Sequence, residues 1–175
     1  IENAQLTACV LVGNDLELKG VTLTDCLLLG TASLSGGTRL LHVTVAGGLT
    51  VREDERNVAI TDSIVGALEI APPRQPAPKG KKKEIAVTLK NVAFFAQTKA
   101  LPKDTVASEE VKPSRSPFAN PSSGDYRLPK DSPLRDNASD KSELGSRFPP
   151  ELLDILRLVR SRSLSQFLKP PTKHR

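Results

Sequence analysis

A five-residue pattern recurs three times in this chain. It occupies residues 21–25, 58–62 and 87–91, and each copy has aliphatic residues at its first and third positions and Asp or Asn at its fifth. Strands this short cannot bury their apolar side chains alone, so they are expected to stack as successive coils of a solenoid. The pattern therefore predicts an all-β repeat fold of about four to five coils, with the outermost coils incomplete.

A longer match gives the spacing of the repeat. Residues 41–51 align without a gap on residues 60–70, which predicts a period of 19 residues. Apolar residues alternate over a few positions within each unit, and Gly, Asn or Asp then interrupts them, which is the pattern of strands and turns. An antiparallel sandwich also has short, regularly spaced strands. The gapless repeat favours the solenoid, because a sandwich does not require it.

Composition divides the chain into two parts. All 14 prolines lie at or after Pro72, whereas eight of the 11 glycines lie before residue 70. Residues 1–70 contain four Lys and Arg against nine Asp and Glu, and residues 71–175 contain 21 against 11. The formal charge of +5 is therefore a property of the second part of the chain. The coils are predicted over residues 1–96.

A basic, proline-rich stretch at 71–84 separates two copies of the repeat and lengthens the step between them, so that Val58 is followed at the same place by Val87. We expect a solvated loop between coils, because insertions collect at one corner of a solenoid while its strands stay stacked. The alternative is a small anion-binding loop. Nucleic acid is not expected as a partner, because no aromatic side chains interleave the basic ones. The candidate anion-binding residues are Lys79, Lys81, Lys82 and Lys83.

Asp25, Asp62 and Asn91 recur at the fifth position of the pattern and are expected to form a row along the coils. An Asp or Asn directly after a strand is most often a turn residue or a member of a polar ladder. A catalytic interpretation fits poorly, because Asp25 and Asp62 would be about 10 Å apart, beyond the usual separation of glycosidase carboxylates. His42 is expected to be an outward-facing or hydrogen-bonded ladder residue. The sequence therefore predicts a polar ladder and no catalytic residue.

The two cysteines, Cys9 and Cys26, occupy the same place in successive coils, since each precedes an aliphatic residue of the repeat. Stacked neighbours lie about 4.8 Å apart, which is within reach of a disulfide. We expect two free thiols instead, in a ladder of small residues continued by Thr44 and Ser63, because stacked side chains seldom have the torsion that a disulfide requires. Metal-binding spacings of Cys or His are lacking, so neither a metal site nor a cofactor is predicted.

The part of the chain after the coils has a recognisable composition. Residues 125–128 read Asp-Tyr-Arg-Leu, and residues 132–136 read Ser-Pro-Leu-Arg-Asp. Together with the coils, this run resembles the closing segment of many bacterial right-handed parallel β-helix proteins of the pectate-lyase-like superfamily. The resemblance implies a right-handed parallel β-helix, an irregular closing segment at 117–138 with Tyr126 and Leu128 packed on the last coil, and an extracytoplasmic location. It implies no particular activity, since one fold can host many functions.

Two further segments complete the predicted organisation. Residues 97–116 are polar and charged and are expected to form a flexible connection. Residues 139–175 are expected to form a tail with one short α-helix at about 149–160, because prolines suit its first turn and aliphatic residues recur at helical spacing behind them. This helix is expected to dock on the solenoid, and the alternative is a helix that binds a partner or a membrane surface. No segment has the length and apolarity of a membrane span.

The function predicted from the sequence is non-catalytic. The chain begins at Ile1 and contains no Met, and we interpret it as the C-terminal end of a longer polypeptide. It lacks an activated nucleophile motif, a phosphate-binding glycine loop and clustered carboxylates. We therefore expect a β-helix segment that serves as a structural spacer or as a carbohydrate- or protein-binding surface of a larger bacterial protein. Two alternatives stay open: the end of a polysaccharide lyase or glycoside hydrolase with upstream catalytic residues, or an accessory region of a bacterial signalling protein such as a kinase.

Overall fold

The structure, a computed structural model, describes residues 1–73, 85–96, 101–102, 106–108, 111–113, 117–121 and 124–147. Ten β-strands in this part of the chain belong to one sheet, and all pairings between them are parallel. The strands are β1 (Gln5–Thr7), β2 (Val10–Lys19), β3 (Thr22–Thr24), β4 (Leu27–Ser35), β5 (Arg39–Leu41), β6 (Thr44–Arg52), β7 (Val58–Ala71), β8 (Val87–Phe94), β9 (Val106–Ser108) and β10 (Val111–Pro113).

The sheet winds into coils because each coil contributes two strand segments joined by a turn. The short strands β1, β3 and β5 stack on the first half of β7, and the longer strands β2, β4 and β6 stack on its second half. β8 continues the stack on β7, and β9 and β10 pair with the two halves of β8. The chain is therefore a parallel β-solenoid of about four turns. It matches the right-handed parallel β-helix class, which confirms the predicted fold class.

The step between coils varies along the chain. It is constant over the first three coils, where Leu6 lies opposite Leu23 and Leu23 opposite Leu40. It is longer between β5 and β7, where Leu40 lies opposite Ile60, and it shortens by one residue along the β6–β7 pairing, before Leu49 opposite Leu68. The 19-residue alignment therefore matched only the second half of that coil and displaced its first half by one residue. The longest step crosses the inserted loop and places Val58 opposite Val87, as predicted.

Aliphatic side chains stacked in columns fill the interior of the solenoid. One such column, at most 1 % exposed, consists of Leu23, Leu40, Ile60 and Leu89. Two buried hydroxyls lie among these columns. Thr38 donates to the carbonyl of Leu18 at 3.0 Å, and Ser63 accepts from the N–H of Val43 at 3.1 Å. Because both hydroxyls are hydrogen-bonded to backbone groups, they can be buried at little cost.

Both cysteines are free thiols on the inner side of the coils, Cys9 half-buried and Cys26 buried. Burial raises the pKa of the Cys26 thiol, because the thiolate would lose its hydration. The ladder that contains them continues through Val43 to Ser63 and does not include Thr44. Thr44 is one position further along the chain, because its partner in the preceding coil is Leu27.

The turn between the two segments of each coil is built on one residue in the left-handed region. The five residues at this place in successive coils have φ between 48° and 52°, and they are Ala8, Asp25, His42, Asp62 and Asn91. Asp and Asn enter this region more readily than most residues do. This preference explains why the fifth position of the sequence pattern is Asp or Asn in three coils.

Residues 117–121 and 124–147, here called the lateral segment, lie along the outside of the solenoid. Ile64 and Ala93 point outward from β7 and β8 and share an apolar cluster with Phe118, Leu128, Leu134, Ala138 and Leu144. Tyr126 packs against Leu27 of the second coil and edge-on against Phe118, with ring centroids 5.3 Å apart. The expected packing of Tyr126 on the last coil is therefore corrected. It lies beside the coils because outward positions of β4, β7 and β8 are apolar.

The remaining predicted segments either differ from the structure or lie outside the described residues. β9 and β10 lie within 97–116, where a flexible connection was expected, and they extend the sheet by pairing with β8. The predicted helix at 149–160 lies outside the described residues, as do the four lysines of the inserted loop.

A column of glycines lets the coils approach closely at another position. Gly13, Gly30, Gly47 and Gly66 follow one another in successive coils. A Cβ atom on Gly47 would lie 1.9 Å from the carbonyl oxygen of Gly30, and one on Gly66 would lie 1.9 Å from that of Gly47. The neighbouring Gly48 has much more space, since its nearest contact would be 3.8 Å away. The backbone-to-backbone contact therefore requires glycine in this column and does not require it one residue further on.

The glycine column yields a matched pair of variants. We expect Gly47→Ala to lower the free energy of unfolding by at least about 1–3 kcal/mol, because the added methyl group forces two coils apart. Gly48→Ala should change it by less than about 1 kcal/mol, because its methyl group meets no close atom and reduces the entropy of the unfolded chain. Urea unfolding followed by far-UV circular dichroism measures both. Equal effects of the two substitutions would contradict the stacking register.

Candidate functional site

The predicted polar ladder lies at the left-handed turn of successive coils, where the lateral segment crosses the outside of the solenoid. Parallel stacking brings the side chains of this turn into one row, and the lateral segment adds polar side chains from above. We call the following seven residues the polar corner: Asp25, His42, Asp62, Asn91, Ser139, Asp140 and Arg147.

Asp62 lies at the centre of the polar corner and is 2 % exposed. Its Oδ1 atom accepts hydrogen bonds from the backbone N–H of Ser139 at 2.7 Å, from the Ser139 hydroxyl at 3.1 Å and from Nδ2 of Asn91 at 3.0 Å. Its backbone carbonyl accepts the N–H of Gly145 at 2.9 Å. A buried carboxylate requires such donors to offset its lost hydration. Asp62 therefore fixes the lateral segment to the coils.

His42 lies between two carboxylates and is 3 % exposed. Its Nε2 atom is 3.5 Å from Oδ2 of Asp140 and 4.0 Å from Oδ2 of Asp62. Its Nδ1 atom is buried and has no hydrogen-bond partner among the described residues. Nε2 therefore faces two carboxylate acceptors, whereas Nδ1 faces no hydrogen-bonding group of the described residues.

Sequence reasoning did not place His42 in the row of Asp25 and Asp62. The structure places it there, in the coil between them. The signal was available, because His42 follows Asp25 at the same spacing that separates Cys9 from Cys26. The 19-residue alignment hid the relation by displacing this part of the coil by one position.

Arg147 closes the outer side of the polar corner. Its Nε and Nη2 atoms donate to the two carboxylate oxygens of Asp25 at 2.7 and 3.1 Å, and its Nη1 atom donates to Asp140 at 3.0 Å. The hydrogen bond with Asp25 raises the pKa of the Arg147 guanidinium. Hydrogen bonds from Ser142 are the main cause that lowers the pKa of the Asp140 carboxyl. Both pKa shifts favour the charged forms of Arg147 and Asp140.

This arrangement commits the carboxylates of Asp25 and Asp62 to donors within the protein. A general acid or base must reach a proton of the substrate, but Asp62 is buried and bonded to protein donors. Asp25 is held by two nitrogens of one guanidinium. In the part of the chain that the structure describes, no group of three or more His, Cys, Asp or Glu side chains could hold a metal ion.

A separate concavity, here called the side groove, lies on another side of the first three coils and has a volume of about 250 Å³. Outward side chains of β2, β4 and β6 form its floor. Glu2 and Lys19 form an ion pair of 3.7 Å at its edge, and Glu55 accepts the N–H of Gly36 at 3.1 Å. Other lining residues supply carboxylate, hydroxyl and guanidinium groups, and they are Glu17, Ser33, Ser35, Thr50 and Arg52. Sequence reasoning singled out none of these groove residues.

Only some of the predicted ladder residues contact one another directly. Asn91 contacts Asp62 directly and also donates to the Ser139 hydroxyl at 3.1 Å. Asp25 is connected to the same corner through Arg147.

Nothing in the described ranges forms a helix with the length and apolarity that crossing a bilayer requires.

Comparison of the chain with protein-family models, with curated proteins and with solved structures found no match. The fold class therefore rests on the structure itself, and the relation to the pectate-lyase-like superfamily stays a resemblance.

The lowered pKa of Asp140 predicts a pH dependence. A carboxyl whose pKa is lower in the folded state contributes stability above its unfolded pKa, near the ordinary value of 3.8, and loses it as the pH falls through the folded value. Unfolding free energy should therefore decrease more steeply between about pH 5 and 3 in the wild type than in Asp140→Asn. Asp131→Asn, which removes the same charge elsewhere in the lateral segment, is the control for the change in net charge. Identical slopes for the wild type and Asp140→Asn would contradict the assignment.

The central position of Asp62 predicts the effect of removing its charge. Asp62→Asn keeps a residue that tolerates positive φ but weakens the acceptor that binds Ser139 and Asn91. We expect it to lower the free energy of unfolding by about 1–3 kcal/mol. Asp15→Asn is the matched control, because Asp15 also has positive φ, at 59°, yet lies on the first coil and bonds to Thr31. Thermal unfolding at pH 7 measures both, and an equal loss in the two variants would count against a special role for Asp62.

Proposed function

We propose that this chain is a non-catalytic β-helix segment that serves as a rigid spacer or as a binding surface of a larger protein. The observation that supports this proposal is that the recurring Asp side chains bind another part of the same chain. The carboxylate oxygens of Asp25 and Asp62 bind the lateral segment, so the row that most resembles a catalytic constellation fastens one part of the chain to another.

The first coil supports a role within a larger polypeptide. Inward aliphatic residues of this coil, such as Leu6 and Leu11, are only half-buried, whereas their partners Leu23 and Leu28 are 0 % exposed. The described residues provide no strand on the outer edge of β1. An incomplete apolar end with free backbone groups favours further β-structure above it. In the proposed setting, which follows the resemblance, the larger protein is bacterial and extracytoplasmic.

The side groove is the surface best suited to binding. It combines carboxylates, hydroxyls and cationic groups on three rigid strands, and such groups can hydrogen-bond the polar edges of a carbohydrate or of a protein segment. The strands hold them at fixed spacings because each belongs to a stacked coil. Binding without chemistry is the role that this surface supports.

A second candidate is the end of a polysaccharide lyase or glycoside hydrolase with catalytic residues in upstream coils. The side groove favours it, because Glu2 and Glu17, two of the residues that line the groove, belong to the first coil. Coils stacked above β1 and β2 would lengthen the groove. This candidate places catalysis outside the present chain.

Turnover assays test the proposal directly. We expect the purified chain to release no unsaturated or reducing ends from polyuronates or neutral polysaccharides above the background of buffer. The double variant Asp25→Asn and Asp62→Asn, checked for folding by circular dichroism, is the control. Turnover that disappears in this variant would show that the row of acids is catalytic and would overturn the proposal. Turnover that persists in the variant would overturn the non-catalytic role and direct attention to the side groove.

A further inference from the structure

Two large apolar clusters lie in the described part of the chain, beside a smaller one in which Tyr126 packs against Leu27. The first fills the interior of the solenoid and contains no residue of the lateral segment. The second lies outside the coils, where Ile64 and Ala93 meet the apolar residues of the lateral segment. The two large clusters share no member.

The lateral segment has little regular structure of its own. It contributes no strand to the ten-stranded sheet, and its described part contains turns and one isolated antiparallel bridge between Asn120 and Asp125. A segment with few backbone hydrogen bonds to its surroundings opens at a lower free energy than the strands of a core. Among the described residues, its attachment to the coils includes the second core, an edge-on contact between Phe118 and Phe95 of the coils, and the polar contacts of residues 139–147.

The polar contacts are concentrated on a few coil residues. Asp62 accepts the N–H groups of Ser139 and Gly145, and the hydroxyl of Thr44 accepts the N–H of Ser146 at 2.9 Å. Asp25 holds Arg147 as described above. Each of these bonds joins the coils to the single stretch 139–147.

We propose that the lateral segment is a releasable strap, which opens as a unit from the outside of the coils while the solenoid stays folded. In the closed state it masks an apolar strip formed by Leu27, Ile64 and Ala93. In the open state this strip faces solvent, and Asp62 loses the two hydrogen bonds that Ser139 donates, while Asn91 of β8 stays beside it. The strap thus controls access to one side of an otherwise rigid solenoid.

Hydrogen exchange of the full chain, measured by mass spectrometry at neutral pH, tests the proposal. The reporters are peptides that contain the amides of Ser139, Gly145 and Ser146, and the reference is peptides from β5 and β6. We expect strap amides to exchange at least about tenfold faster than the reference amides, because local opening requires less free energy than unfolding of the coils. Equal exchange rates in the two sets of peptides would overturn the proposal.

Matched variants separate local opening from global unfolding. Leu144 in the second core and Leu40 in the first are each 1 % exposed. Leu144→Ala should accelerate exchange of the strap by on the order of tenfold or more, and exchange of β5 and β6 by no more than that, because unfolding of the coils also releases the strap. Leu40→Ala should accelerate exchange of β5 and β6 and leave local opening of the strap unchanged. Asp62→Asn, which keeps both cores intact, should act like Leu144→Ala, and Asp15→Asn should change neither set. Equal acceleration of strap and coils by Leu40→Ala would show one cooperative unit and contradict a releasable strap.

Discussion

Parallel stacking of backbone on backbone is the constraint on which the rest of this structure depends. The glycine column allows contacts that a single methyl group would prevent, as the 1.9 Å approach at Gly47 shows. The left-handed turn keeps the two strand segments of each coil in the same relation, although the step between coils is much longer across the inserted loop than in the first three coils. Turns, loops and register shifts within two of the strand pairings therefore absorb the variation in length, and the side chains of the paired residues lie above one another in successive coils.

Stacking also brings carboxylates close together, and residues far along the chain supply their hydrogen-bond and ion-pair partners. A row that contains Asp25, His42 and Asp62 brings two carboxylates and a buried imidazole to one corner of the solenoid. The lateral segment supplies the donors and the charge that this row requires, from residues 77 and 122 positions further along the chain. In this account the acids serve as anchors. Their burial, their hydrogen bonds and their partners all follow from the need to attach an irregular segment to a regular surface.

Sequence reasoning predicted the structural features that repeat in each coil and missed those that occur once. The strands and the row containing Asp62 were predictable, because period-two alternation and turn residues recur in each coil. His42 was missed because one coil is shifted by one residue relative to the 19-residue alignment. The lateral packing was missed because outward residues such as Leu27 and Ile64 look like ordinary strand residues until a covering segment is seen. Polar sequence at 97–116 likewise concealed β9 and β10, whose pairing with β8 depends on the preceding coils.

A double-mutant cycle between Asp62 and Ser139 tests the central claim most directly. The two residues are 77 positions apart in the sequence, and only the attachment of the lateral segment to the coils brings them together. Unfolding free energies of the wild type, Asp62→Asn, Ser139→Ala and the double variant give their coupling energy. The account predicts a coupling of about 0.5–3 kcal/mol, as for residues in one hydrogen-bond network. Additive effects within about 0.3–0.5 kcal/mol would contradict it.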